Sequence, residues 1–287
     1  MKGIEKKMKK NYPLKNLTTI KIGGNALFFI APSNIEELFE IINFSEKISI
    51  PIFILGGGSK CIFGNGLIEK IVISTKNFKE IKIEGNKLFA QAGVKFPEIL
   101  KKCEENGLSG LEFTAPIPAS VGGGIYMNFG SMGKEVSNYL KKLIYIEGKE
   151  LKEITKEKID FSYRKGFQKG IIIGAEFELE KKDKEEIREI KRRIISIKKE
   201  KQPIGKKTCG CIFKNPEGYF AGKLIEDAGL KGKRIGDAMI SEKHANFIEN
   251  LGNANFEDVK NLIEYIKEEV NKKFKINLEE EVIIVEK

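Results

Sequence analysis

The sequence predicts an α+β protein, and three observations carry that reading. Short apolar runs of strand composition are joined by glycine turns, as in EIKIEGNKLFAQAG from Glu80 and LKKLIYIEGKELKEI from Leu140. Apolar residues recur at helical spacing over Asn34 to about Lys47, Asp183 to about Lys201 and Asn255 to Phe274. Between these periodic segments lies a stretch from Gly107 to Gly133 in which glycines at 107, 110, 122, 123, 124, 130 and 133 crowd around Pro116 and Pro118. So dense a mixture of permissive and rigid residues is expected to form an ordered turn system, not a helix interior or a central strand. Such a turn lets backbone N–H groups approach a ligand closely, so the segment reads as a cradle for phosphate or ring oxygens.

Taken in order, LTTIKIGGNALFFIAP reads as two short strands about Gly23-Gly24. Ser33 followed by Glu36 is a capping box for the helix that follows, with Ile35, Leu38, Phe39 and Ile42 on one face. PIFIL (51–55) is a buried strand that runs into Gly56, Gly57, Gly58 and Ser59, and KIVIST (70–75) is its neighbour. The bare amides of that loop could receive a pyrophosphate, with the Ser59 hydroxyl as one more donor. Two hairpins turn at Gly85-Asn86 and in the IEGKE segment. A helix between them opens on Phe96-Pro97 and closes at Gly107. IIIGAEFELE is a strand, and the helix from Asp183 presents Ile187, Ile190, Ile194 and Ile197 until Pro203 ends it. A helix from about Phe220 to Ala228, a strand-turn-strand in RIGDAMISEKHANFIEN and the long helix from Asn255, with Val259, Leu262, Ile263, Ile266 and Val270 buried, complete the last third. The terminal INLEEEVIIV needs sheet neighbours, which the small N-terminal unit can supply.

The composition sets limits. The chain has 287 residues, 41% apolar, which is enough for real cores. No apolar run approaches the ~20 residues that cross a bilayer, and the basic start is not followed by a secretory apolar stretch, so the protein is expected in the cytosol. Four cysteines at irregular spacings and a single histidine give neither a disulfide framework nor a four-ligand zinc set. Free thiols and no structural metal are expected. The net charge of +10 is almost all lysine interleaved with acids, arginine occurring only at 164, 188, 192, 193 and 234. That pattern suits solvated helix faces and anionic nucleotide substrates better than nucleic acid. The glycine loop at 56–59 lacks the Gly-Lys-Ser/Thr ending of a P-loop, and no Gly-x-Gly-x-x-Gly stands between a strand and a helix, which excludes two common nucleotide folds.

An ordered set of stretches nevertheless resembles one family. These are LTTIKIGG (17–24), LGGGSK (55–60), GLSGLEF (107–113), IPASVGG (117–123), MNFG (127–130), SYR (162–164), GCIFKNP (210–216), AGKLIEDAGLKGKRIGDAMISEKHANFIEN (221–250) and LEEEV (278–282). Together they are similar to the UDP-N-acetylenolpyruvoylglucosamine reductases, flavoenzymes of bacterial cell-wall synthesis, of the type without an extra substrate-covering loop. The resemblance implies a two-part FAD-binding region of the vanillyl-alcohol-oxidase-like kind and a C-terminal α+β substrate domain. The expected divisions are 1–75, completed by a C-terminal strand at 282–287, then 76–202 and 203–281. FAD would lie on Gly56, Gly57, Gly58, Ser59 and Lys60, along Ala115, Pro116, Ser120, Gly122 and Gly123, and near Asn128. NADPH would be the co-substrate and a UDP-sugar the substrate, in a protein expected to be monomeric.

The resemblance also implies three catalytic positions, Arg164, Cys211 and Glu281, with Tyr163, Lys201, Asn215 and His244 as substrate contacts. The family reaction passes hydride from NADPH to the flavin and then to an enolpyruvyl ether. A cation for the carboxylate, a proton donor for the adjacent carbon and a polar partner for the enolic form are what it needs. An isolated arginine in a lysine-using chain suits planar, bidentate donation to that carboxylate. The sequence departs from the family at Cys211 where serine is common, at Lys60 for asparagine, at Pro116 and Ala119 for glycines and at Glu280 for proline. A thiol, titrating near ~8.5 when unperturbed, is a better proton donor than a hydroxyl. The competing readings are a flavin oxidase of the same fold acting on an alcohol or sugar and a basic nucleic-acid-binding protein.

Overall fold

In a computed structural model, residues 3–286 are described. The chain divides into two units. The first comprises Met1–Lys9, Phe29–Gly57 and Ile71–Lys198, and the second Lys10–Phe28, Gly58–Lys70 and Lys199–Lys287.

The first unit is built on a five-stranded antiparallel sheet in the order Glu150–Thr155, Leu140–Glu147, Ile171–Glu178, Lys87–Gln91, Ile81–Glu84. Its outer pairs are the two hairpins the sequence predicts. Both turn on glycines in the left-handed region, Gly85 at φ 63° and Gly148 at φ 59°, which is why only a residue without Cβ fits those turns easily. Alternate strand residues Leu88, Ala90, Leu143, Ala175 and Phe177 face the core. A separate parallel pair sets Ile52–Leu55 beside residues 71–74, with Leu55 opposite Ser74.

Five helices begin in this unit: α1 (Ile4–Lys7), α2 (Ile35–Ile48), α3 (Phe96–Asn106), α4 (Val121–Tyr126) and α5 (Lys184–Lys201). The cap of α2 lies one residue later than the sequence suggests. Asn34 accepts from the Glu37 amide at 2.9 Å, and the Glu37 carboxylate accepts from the Ser33 amide at 2.7 Å, so Ser33 and Glu36 are not the box. α3 runs as expected, with Pro97 in its first turn and Gly107 as a left-handed C-cap at φ 63°.

The expectation that the glycine-rich stretch holds no helix is corrected by α4, whose sequence is VGGGIY. Propensity argues against it, at about 1 kcal/mol per glycine. Packing overrides that cost: a Cβ on Gly122 would stand 3.1 Å from Ala92 Cβ and one on Gly124 only 2.6 Å from the Phe96 ring, so the helix backbone lies where side chains would not fit. Ser120 caps it, accepting from the Gly123 amide at 3.4 Å.

α5 also differs from its periodic reading. Ile187 is buried as expected, but the docked stripe continues through Lys191, Ile194 and Ile195 to Lys198 instead of Ile190 and Ile197. Charge pairing with α3 sets that face. Lys191 and then Arg188 hydrogen-bond Glu104, holding its carboxyl below the usual range. Lys198 is 3% exposed and donates to the Phe113 carbonyl at 2.7 Å; burial pushes its ammonium down from 10.5 to about 8. The unfolded chain therefore binds more protons between those values, and stability rises as pH climbs from about 8 to 10.5. Lys198→Met should lose that rise, about 3 kcal/mol at most. Urea unfolding at pH 8 and pH 10 checks it, and equal slopes for both proteins would contradict the assignment.

The second unit contains α6 (Ala221–Asp227) and α7 (Phe256–Phe274) with a three-stranded sheet of Arg234–Ile235, Ala238–Ile240 and Ile248–Asn250. α7 buries Val259, Leu262, Ile263, Ile266 and Val270 as its spacing predicts, and Asn255 and Asp258 form a reciprocal capping box. The C-terminal strand Ile283–Val285 lies parallel to Cys61–Phe63, with Ile283 opposite Cys61. Only half of the hairpin expected around Gly23-Gly24 exists. Asn25–Ile30 is a strand, but residues 18–22 make no ladder. Lys21 takes φ 62°, and the Thr18 hydroxyl donates to the carbonyls of Lys15 and Ile22, closing a local loop that still buries Ile20 and Ile22. Among the described residues no helix is long and apolar enough to cross a membrane.

Candidate active site

In the first unit, the strand Ile52–Leu55 delivers Gly56 and Gly57 against the start of α4. The Gly57 amide donates to Ser120 Oγ at 3.1 Å, so one hydroxyl serves both as helix cap and as acceptor for the glycine loop. Gly57 is therefore not a bare amide, as the sequence reading expected. The two backbones are so close that a Cβ on Gly56 would fall 2.5 Å from Ser120 Oγ, and one on Gly57 2.8 Å from the Pro118 carbonyl oxygen. The Gly122 amide continues the contact to the Ala92 carbonyl at 2.9 Å. Thr75, whose amide binds the Leu55 carbonyl just before Gly56, carries a buried hydroxyl with no hydrogen-bond partner among the described residues. Ala115 is buried and ends the 3-10 turn Glu112–Thr114, and Pro116 is half-buried beside it.

The other end of α4 holds Arg164, on the order of 9 Å away at 1.5 Å per residue. Arg164 sits in a two-residue turn closed by reciprocal bonds between Ser162 and Lys165, both at 3.0 Å, and takes φ 58°. Three contacts pin this turn to the last residue of α4 and the chain after it: Arg164 Nη2 to the Gly130 carbonyl at 3.0 Å, Asn128 Nδ2 to the Ser162 carbonyl at 3.1 Å, and the Gly166 amide to the Tyr126 carbonyl at 3.0 Å. Tyr163 is exposed, with the guanidinium 4.8 Å over its ring. Asn128 is completely buried. Its amide group also binds Glu135 at 2.7 Å and its oxygen accepts from Ser137, so its side chain braces the Arg164 turn instead of facing a cofactor.

In the second unit, Gly58 at φ +64° packs against residue 17, where a Cβ would lie 1.9 Å from the Leu17 carbonyl oxygen. Its own carbonyl accepts from the Thr19 amide, and Ser59 follows half-buried. Lys60, expected at the cofactor, turns its ammonium to Glu281 Oε1 at 2.8 Å and to the Cys211 carbonyl at 2.6 Å. The segment 211–214 is held from both sides: Ile212 and Phe213 donate to Asn246, and the amides of Glu281 and Lys214 bind the carbonyls of Ile212 and Glu279. This registers the acidic run. Glu279 pairs with Lys214 and Glu280 with Lys267, while Glu281, only 8% exposed, lies with Lys60.

Cys211 is half-buried and lines a cleft of ≈ 500 Å³ together with Lys201, Asn215 and His244, so four residues named from the sequence share one wall system. Asn215 Oδ1 caps α6 by accepting from the Ala221 amide at 3.0 Å. His244 Nδ1 accepts from the Asn246 amide at 3.3 Å, and burial holds its pKa below the ordinary value. The neutral ring then carries its proton on Nε2, as that hydrogen bond assigns it. Cys61, Cys103 and Cys209 are free but buried, and desolvation pushes each thiol up to about 12. The sequence reading missed Phe220, Lys223 and Lys243 in the cleft, which carry no pattern that separates them from surface residues.

A glycine-lined meeting of two loops, an orphaned hydroxyl beside it and a polar cleft with a half-buried thiol fit a flavin-dependent oxidoreductase. Residues 26–147 match the FAD binding domain, and residues 202–285 match the C-terminal domain of UDP-N-acetylenolpyruvoylglucosamine reductase. The chain is 44% identical to the UDP-N-acetylenolpyruvoylglucosamine reductase of Aquifex aeolicus, over 96% of this chain and 95% of that one. It is 41% identical to one from Bacillus cereus, over 97% and 92%. The crystal structure of UDP-N-acetylenolpyruvylglucosamine reductase from Thermus caldophilus matches with a TM-score of 0.84 at 33% identity, covering 96% of this chain and 98% of that one. The chain belongs to the UDP-N-acetylenolpyruvoylglucosamine reductase family, with FAD as its cofactor.

Proposed function

We propose that the chain uses NADPH to reduce the enolpyruvyl ether of UDP-N-acetylenolpyruvoylglucosamine to UDP-N-acetylmuramate, with Cys211 supplying the proton. The observation that carries this is the half-buried Cys211 thiol in a cleft shared with Lys201, Asn215 and His244, beside the Lys60–Glu281 pair. FAD, when bound, supplies the hydride transfer. Gly56, Gly57, Ser120, Gly122 and Gly123 would hold it, with the Thr75 hydroxyl as a further partner. Cys211 Sγ–H gives its proton to the carbon next to the substrate carboxylate, and Glu281 bounds that position with a fixed charge. The Arg164 guanidinium, aimed by the braced turn at 162–166, receives the carboxylate. Neutral His244 donates from Nε2, and Lys201 with Asn215 adds charge and hydrogen bonds for the nucleotide end. The expected setting, a monomer acting in the cytosol, goes with this reading.

The test is an absorption spectrum of the purified protein followed by two anaerobic additions. NADPH is expected to bleach a yellow flavin band, and the enolpyruvyl sugar nucleotide to restore it. A flavin that ignores NADPH but is reduced by an alcohol or sugar and reoxidised by oxygen would point to an oxidase and end the reading.

A further inference from the structure

Lys60 leaves the Gly58–Ser59 turn and enters the strand Cys61–Phe63, and its carbonyl accepts from the Ile283 amide at 2.8 Å. Backbone pairing thus ties residue 60 to the strand that begins two residues after Glu281. The side chain repeats the link, with Nζ 2.8 Å from Glu281 Oε1 and 2.6 Å from the Cys211 carbonyl oxygen. Gly210 makes room for it: a Cβ at that position would lie 3.2 Å from Nζ. The Lys60 side chain is 21% exposed and that of Glu281 8%, so this pair is far less screened than the chain's many surface ion pairs.

We propose that Lys60 is a positioning residue that joins Glu281 to the backbone of Cys211 through one ammonium group and stabilises the thiolate left when Cys211 gives up its proton. The inference rests on Cys211 being the proton donor. In that step the S–H bond breaks, a C–H bond forms on the substrate carbon, and the S–H electron pair stays on sulfur until solvent returns a proton. Lys60 takes no part in the proton transfer itself. Without it residue 211 and Glu281 would lose the cation that is bonded to both, and like charges disfavour ionisation. The carbonyl and thiol of Cys211 belong to one residue, so an ammonium bonded to the first acts on the second at short range. Two of the three Lys60 donors go to Cys211 and Glu281, which fixes where the charge sits.

The thiolate, not the thiol, is alkylated, so labelling reads this coupling without turnover. Flavin-bound protein treated with neutral iodoacetamide at pH 7.5 should label Cys211 selectively, because burial keeps the other three thiols protonated. Lys60→Met and Lys60→Asn are expected to slow labelling of Cys211 about tenfold, the change in thiolate fraction for one pKa unit. Lys60→Arg keeps the cation and should keep most of the rate. Glu200, Lys201, Lys223, Glu226 and Lys243, the other charges of the cleft, are the same in every variant, so the comparison isolates residue 60. The bound flavin spectrum reports folding in each; if the methionine variant loses flavin, the asparagine and arginine pair decides. Labelling of Cys211 at the wild-type rate in Lys60→Asn, or an equal loss in Lys60→Arg, overturns the proposal. Failure of Cys211 as donor shows separately, in the half-reactions of Cys211→Ala.

Discussion

Cys211→Ala is expected to leave flavin reduction by NADPH near its wild-type rate and to slow flavin reoxidation by the enolpyruvyl substrate about 10²–10⁴-fold, the usual worth of a positioned acid. The asymmetry follows from where the residue stands. The thiol lines a cleft in the second unit, and the hydrogen bonds of residues 211–214 are made by main chain to Asn246, Glu279 and Glu281. Removing Sγ takes away the proton donor and leaves those main-chain bonds in place. The glycine cradle is held by its own bonds between Gly57, Ser120 and Gly123, so the cofactor should remain bound and reducible. Cys211→Ser keeps a donor of the same size and should retain a large share of turnover. Stopped-flow absorbance at the flavin band separates the two half-reactions. Equal losses in both for the alanine variant would show that residue 211 shapes the site instead of donating to it.

Much of the architecture could be read from residue order, because in those places local and tertiary preferences agree. Both sheet hairpins turn at a glycine between alternating apolar runs, and α3 begins at a proline and ends at a left-handed glycine. α7 carries a regular apolar stripe with an Asn-Asp box before it. Where packing and propensity conflict, the reading failed. Three successive glycines argue against helix until Phe96 and Ala92 are seen to leave no room for Cβ atoms. α5 turns its face toward Lys198 because Glu104, 87 residues before Lys191 in the chain, binds two of its cations, and no window along one helix contains that partner. Lys60 shows the same limit at the site. Its neighbours in sequence are phosphate-loop glycines, whereas its neighbours in space, Cys211 and Glu281, lie 151 residues away and further. Motif order names Cys211 and, as separate substrate contacts, Lys201, Asn215 and His244, which the fold places around one cleft, but only the fold shows which cation is bonded to the acid.

Gly56→Val is expected to yield a colourless protein that still folds, and it is the direct test of the cradle. At position 56 a Cβ would lie 2.5 Å from Ser120 Oγ and 3.5 Å from the Gly123 amide nitrogen, so a branched side chain must push the glycine loop away from α4. That movement breaks the 3.1 Å bond from the Gly57 amide to Ser120 and leaves the cap with a single donor. The direct cost is modest, about 1 kcal/mol for a cap contact, because the sheet and the α3 core do not pass through this contact. Cofactor affinity should fall much further, since the backbone of the glycine loop that would line the cofactor is displaced, and a contact group that is off by an ångström forfeits its hydrogen bond. Circular dichroism should therefore match wild type while the flavin absorbance of the purified protein disappears, and thermal stability should no longer rise when FAD is added. A yellow Gly56→Val protein with unchanged FAD affinity would mean that the two glycine stretches meet for packing alone.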